Sequence, residues 1–284
     1  MNMPDFWGLI AIITKFALYL GVLGASGVVF CALIFSIEKW KPLASGFLTI
    51  GFFAAIFAFM LKAVALTGDY TGMTDPEMLS LLWATKSGSV LLMRLVGLSA
   101  LLLGLVLGTP GKFFAAAGGG VALYTFVTTG HIADRDDWFV TAVLFVHLLV
   151  AALWIGILTP LRRLSSQEYS LDTAAKLGER FGTLATVAVP VLIIAGVFMT
   201  WQLVGSLDAM IATSYGLALL SKIAVVAVLL GLATANKFRF VPAMFSGDFT
   251  AGQRLSRSIQ LEWIAVLLIL LVTAILTSAL TLPM

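Results

Sequence analysis

Two histidines are the only imidazoles in 284 residues, and both fall in one stretch, 124–163, which reads YTFVTTGHIADRDDWFVTAVLFVHLLVAALWIGILTPLRR. His131 stands where an apolar run ends in a polar turn carrying Asp134, Asp136 and Asp137, and His147 lies well inside the next apolar run. A ligating or ionisable group within a membrane span is costly to keep, so it is a functional candidate by default. Each also has a plainer use. His131 fits a solvated loop, and His147 fits a hydrogen bond to a neighbouring helix, with Tyr19, Tyr124 and Thr128 as possible partners. Trp154 and Gly156 follow His147 on the same run. The indole needs a hydrogen-bond partner, and the glycine permits close helix contact.

The elements that must position these residues are set by composition. With 61% hydrophobic and 11% charged residues and a mean hydropathy of +1.07, the chain is an all-α polytopic membrane protein. Eight apolar spans are expected, at 7–35, 43–66, 87–107, 113–129, 138–160, 182–204, 215–236 and 258–280. Each is close to the ~20 residues that cross ~30 Å of hydrocarbon, the fourth being short. The first is not a cleaved signal peptide, since no basic stretch precedes it, it carries Lys15 and it is too long. Thr74-Asp75-Pro76 is a cap and a proline start for a short interfacial helix from Pro76 to about Thr85. Segment 171–180 is a short amphipathic piece, and 241–252 is a loop turning at Ser246-Gly247-Asp248.

One set of alternate loops holds Lys39, Lys41, Lys112, Arg162, Arg163, Lys176, Arg180, Lys237, Arg239, Arg254 and Arg257, and the other only Lys86 and Arg135. The positive-inside rule puts both termini outside. Asp5, Asp69, Asp75, Glu77, Asp134, Asp136, Asp137 and Asp208 then face out, where they attract cations. The net charge of +3 is a topology signal and gives no nucleic-acid surface. TxxGxxLLxR at 85–94 recurs as TxxGxxLLxK at 213–222. Two tandem four-helix halves, 1–130 and 131–284, would produce that, and so would a shared way of starting a helix. Arg94 and Lys222 each lie about two turns inside, as pathway groups or as headgroup anchors.

With this topology Met73, Met78 and Met210 lie outside, Met60, Met93 and Met199 in outer helix halves, and only Met244 inside. Packing alone does not favour one leaflet so strongly. The thioether is a Cu(I) ligand, and imidazole binds copper in either oxidation state. Met73, Met78, Met93, Met199, Met210, His131 and His147 are therefore the candidate metal ligands, with Cu(I) favoured. Trp154, Tyr19, Arg94, Lys222, Asp134, Asp136 and Asp137 are candidates for lining or supporting a path. Cys31 reads as a small hydrophobe or an inner-side ligand. Glu262 reads as a proton-coupling group or as a partner of the basic loops.

GHI at 130–132, HLLVAALWIG at 147–156, Arg180-Phe181 and TSYGLALLSK at 213–222 together resemble the copper resistance D (CopD) family of bacterial inner-membrane proteins, with the family-like region at about 139–236. The resemblance implies copper transport or handling at the inner membrane, beside a separate periplasmic carrier of the CopC type. A different reading is a b-type cytochrome, because two histidines in a helical bundle can ligate haem. Axial ligands share one depth, whereas His131 and His147 differ by roughly 13 Å along the axis. No nucleophile–base set and no phosphate-binding glycine loop is present, so no enzymatic activity is expected.

Overall fold

The computed structural model describes residues 6–108, 110–129 and 137–280. The described residues are helical, without strands. In order they form α1 (Phe6–Ile34), α2 (Lys41–Thr67), a 3-10 turn (Tyr70–Met73), α3 (Pro76–Trp83), α4 (Lys86–Val106), α5 (Gly111–Tyr124), α6 (Trp138–Ser165), a second 3-10 turn (Glu168–Ser170), α7 (Leu171–Val204), α8 (Leu207–Ala212), α9 (Ser214–Ala235), a π-helical segment (Asn236–Phe240), α10 (Val241–Phe245) and α11 (Phe249–Ser278). Among the described residues seven helices are long and apolar enough to cross a membrane, making this a multi-pass membrane protein.

The fourth expected span, 113–129, is the exception. Helix α5 has 14 residues, which rise about 21 Å and fall short of ~30 Å of hydrocarbon. Beyond Tyr124 the chain tightens into i→i+3 turns, Phe126 N to Leu123 O and Val127 N to Tyr124 O, each 3.0 Å. Thr125, Thr128 and Thr129 turn their hydroxyls back onto backbone carbonyls, competing with regular helix. Elsewhere helices overrun the expected bounds. The amphipathic piece at 171–180 is the first part of α7, and the 241–252 loop is helical to Phe245 before it turns at Gly247, whose φ is +84°.

The starts of the elements follow from local chemistry. Asp75 caps α3 ahead of Pro76, as expected, and Asp137 caps α6 through Phe139 N at 2.8 Å. The two repeat segments start their helices alike. Thr85 Oγ1 accepts from Ser87 N at 3.1 Å and Thr213 Oγ1 from Gly216 N at 3.0 Å. Gly88 and Gly216 each lie against the backbone of the short helix before them.

Helix α1 is the hub, buried along most of its length against α2, α5, α6 and α11. Small residues allow the approach: a Cβ at Gly21 would strike the backbone of Gly51, and one at Gly156 that of Gly27. Helices α7 and α9 lie outermost, leaning on α6 and α11 respectively. Val187, Ile194 and Val197 on α7 and Leu217 and Val228 on α9 face outward, as lipid-facing positions should.

Candidate functional site

His147 follows Trp138 by about 13 Å along α6, about a third of the way down the helix. Its ring lies within hydrogen-bonding reach of the Leu192 backbone on α7 and within electrostatic reach of Lys222 on α9. Nδ1 is buried and has no hydrogen-bond partner among the described residues. The tyrosines and threonine that might have held it are otherwise engaged. Tyr19 pairs with Thr277 (3.1 Å), Thr128 donates to the Thr125 carbonyl (3.0 Å), and Tyr124 packs edge-on against Phe145 (5.6 Å). An orphaned imidazole nitrogen within a helix bundle is costly, and a metal ion is one ligand that would satisfy it.

Trp154 stands seven residues beyond His147, hence on the same face of α6 and about 10 Å along it. Its Nε1 donates to Glu262 Oε2 of α11 at 3.1 Å. Asn236 Nδ2, from the start of the π-helical segment, donates to Glu262 Oε1. Asn236 Oδ1 is buried without a partner. The Arg180-Phe181 pair supports this cluster from α7. Arg180 donates to the last carbonyl of α1 at Ile34 (3.0 Å), and Phe181 packs edge-on against Trp154 (5.6 Å) and Phe35 (6.2 Å). Glu262 therefore does not pair with the basic loops: among the described residues its partners are two neutral donors. The sequence spacing does not join it to Asn236 and Trp154, although it is the one carboxylate within an expected span and the Trp154 indole needs a partner.

A second polar group lies among α1, α2, α4, α5 and α11. Arg94 is 7% exposed. Its Nε donates to Thr125 Oγ1 at 2.8 Å, and its guanidinium lies 4.8 Å from the centre of the Phe126 ring. Lys15 Nζ donates to the Thr277 carbonyl (2.6 Å) and Lys62 Nζ to Ser87 Oγ (2.9 Å). The three cations are near enough to act on one another, with Tyr19 beside Arg94. Among the described residues none of them has a carboxylate partner.

The remaining candidates divide between two regions. Met73 ends the first 3-10 turn and Met78 sits in α3 against the main core. Met93 faces out from α4, one residue before the buried Arg94. Met199 lies on α7, and Met210 in α8 packs with Val204, Tyr215 and Leu276. Asp137 serves as the α6 cap, while His131, Asp134 and Asp136 lie outside the described residues. Cys31 is buried, with Sγ donating to the Leu153 carbonyl at 3.3 Å, so it behaves as a packed thiol. Among the described residues no three of His, Cys, Asp and Glu gather as a metal site.

Comparison with known proteins gives a consistent result. The family model "Copper resistance protein D-like, N-terminal domain" matches residues 3–139, and "Copper resistance protein D" matches residues 175–276. Copper resistance protein D of Pseudomonas syringae pv. tomato is 27% identical over 255 residues, 83% of this chain and 82% of the relative. Copper transport protein CutJ of Bacillus subtilis (strain 168) is 29% identical over 159 residues, 53% of this chain and 27% of the relative. No solved structure matches.

Proposed function

Because the chain belongs to the copper resistance protein D family, we propose that it moves copper across the bacterial inner membrane, with His147 as the mid-membrane station. The observation that carries this is the buried Nδ1 of His147, a ligating nitrogen on α6 without a partner among the described residues. Copper here is cargo. Methionine thioethers and imidazole suit Cu(I), so the ion enters as Cu(I). Both termini face the periplasm and the basic loops the cytoplasm, with α5 and residues 125–129 together making an eighth crossing in two parallel four-helix halves. The acidic outer face attracts the ion, a separate CopC-type carrier delivers it, Met73, Met78, Met93, Met199, Met210 and His131 capture it, and the ion then passes inward on the side of Met199 and Met210.

Charge favours one side of the bundle as the route. Lys15, Lys62 and Arg94, which have no carboxylate partner among the described residues, oppose a metal ion among α1, α2 and α4. Arg94 and Tyr19 then bound the path rather than line it. Among α6, α7, α9 and α11 the polar groups are the half-buried His147 and Lys222 and the buried Glu262. Lys222 opposes long residence at His147, as a relay requires: a site must bind well enough to be entered and weakly enough to be left. Vesicles of known orientation, loaded outside with Cu(I) or with Zn(II), test the proposal. Copper uptake above that of protein-free vesicles, with zinc left outside, is expected. Equal rates with and without the protein would overturn it.

A further inference from the structure

A cavity of 320 Å³ opens among α6, α7, α9 and α11 toward the basic-loop end, bordered by Trp154, Thr186, Asn236, Lys237 and Glu262. Most of its wall is apolar, and its polar groups gather at the Glu262 end, where a water has the partners it needs. Glu262 is 3% exposed and is the one fully buried carboxylate among the described residues. Its two oxygens accept from Trp154 and Asn236, both uncharged. A carboxylate kept within a membrane bundle normally has a cationic partner, because a lone buried charge is expensive. Here the charged or titratable groups that face it are few. Lys237 borders the same cavity but donates to Thr186 Oγ1 across on α7. Cys31 of α1 is turned to the Leu153 carbonyl. Helices α6, α7 and α10 bring no titratable side chain to the cavity wall. Arg254 and Arg257 of α11 itself are exposed.

Two backbone irregularities converge on the same place. The π-helical turn at Asn236–Phe240 adds a residue to the turn and brings Asn236 to Glu262, and such turns are common at functional sites. Pro190 of α7 lacks the N–H that would bond the Thr186 carbonyl, leaving an acceptor at the cavity wall. Asn236 Oδ1 adds another acceptor, buried and unused, beside the carboxylate. Carboxylate, amide and hydroxyl oxygens are hard donors and poor partners for Cu(I). A proton needs only one carboxylate lone pair.

We propose that Glu262 is a proton-exchange site: its carboxylate takes one proton from water in the 320 Å³ cavity, becomes a neutral carboxyl group, and returns the proton by the same route. Trp154, bonded to Glu262 and on the face of α6 that bears His147, ties the two stations together, so copper movement and proton movement are coupled. The coupling rests on the transport reading above. The proton site does not.

The tests separate the two. Infrared difference spectra of the purified, copper-free protein, recorded as pH is stepped from acid to alkaline, should show a protonated-carboxyl C=O band. Glu262→Gln should lose that band, and Glu262→Asp should move it. Asn236→Leu, which removes one hydrogen bond, should shift its frequency. A spectrum with no such band in the parent protein, or one that Glu262→Gln leaves unchanged, overturns the proton site. In proteoliposomes carrying an internal pH dye, copper movement should be accompanied by a pH change that Glu262→Gln abolishes. Copper movement without a pH change in the parent protein overturns the coupling. If no copper moves at all, the transport reading fails and the infrared result still decides the site.

Discussion

Trp154→Phe isolates the bond between α6 and α11. Phenylalanine keeps an aromatic ring against Phe181, whose centre is 5.6 Å away, and removes only the Nε1–H that reaches Glu262 Oε2 at 3.1 Å and part of the ring. A hydrogen bond to a charged or buried acceptor is worth about 1.5–3 kcal/mol in soluble proteins. Measured side-chain bonds within membranes average nearer ~0.6 kcal/mol, with a maximum of about 1.7. Glu262 retains Asn236 as a donor, so the expected coupling is about 1–1.7 kcal/mol. The assay is equilibrium unfolding in mixed micelles on a double-mutant cycle, Trp154→Phe against Glu262→Leu, since the cycle cancels the lost ring volume. In the Glu262→Leu background the tryptophan change should cost only packing. A coupling within ~0.3 kcal/mol of zero would refute the claim that this bond helps hold α6 to α11.

Replacing Met73, Met78 and Met210 together by leucine keeps volume and apolarity nearly constant; Cu(I) affinity, read by competition with a chromogenic chelator, should fall while the folded fraction is kept. Gly156→Ala should destabilise by about 1–3 kcal/mol, because its Cβ meets the Gly27 backbone, which has no flexible end to yield. Gly120→Ala, where a Cβ meets nothing within 4 Å, is the control and should hold the unfolding midpoint or raise it slightly, since alanine favours the helix.

The helices were legible because membrane spans announce themselves by continuous apolar length, and the caps because Asp75-Pro76, Thr85 and Thr213 carry their own local chemistry. Helix ends at the basic loops were not. The first turns of α7 and α11 carry Asp172, Lys176, Arg254 and Arg257, so hydropathy stops before the helix does. The shortness of α5 was partly visible in its length, but the turns after Tyr124 depend on threonine hydroxyls finding carbonyls. His147 stood out as an imidazole in an apolar run, yet its missing partner is a property of packing. Glu262, Asn236 and Trp154 are far apart in sequence, and nothing in their spacing announces a shared hydrogen-bond network. Lys62 was passed over for the same reason: only the fold brings it near Lys15 and Arg94.

The central claim is that copper passes by way of the His147 imidazole. Its direct test is copper flux into oriented proteoliposomes containing the parent protein, His147→Gln or His147→Phe, each confirmed folded by its unfolding midpoint. Glutamine restores hydrogen-bonding capacity at that position but is a poor Cu(I) ligand beside imidazole. Both variants should therefore fall to the flux of empty vesicles while the fold survives. Copper flux at the parent rate through folded His147→Phe would contradict the account, and rescue by His147→Gln alone would make the histidine a structural hydrogen-bonding group.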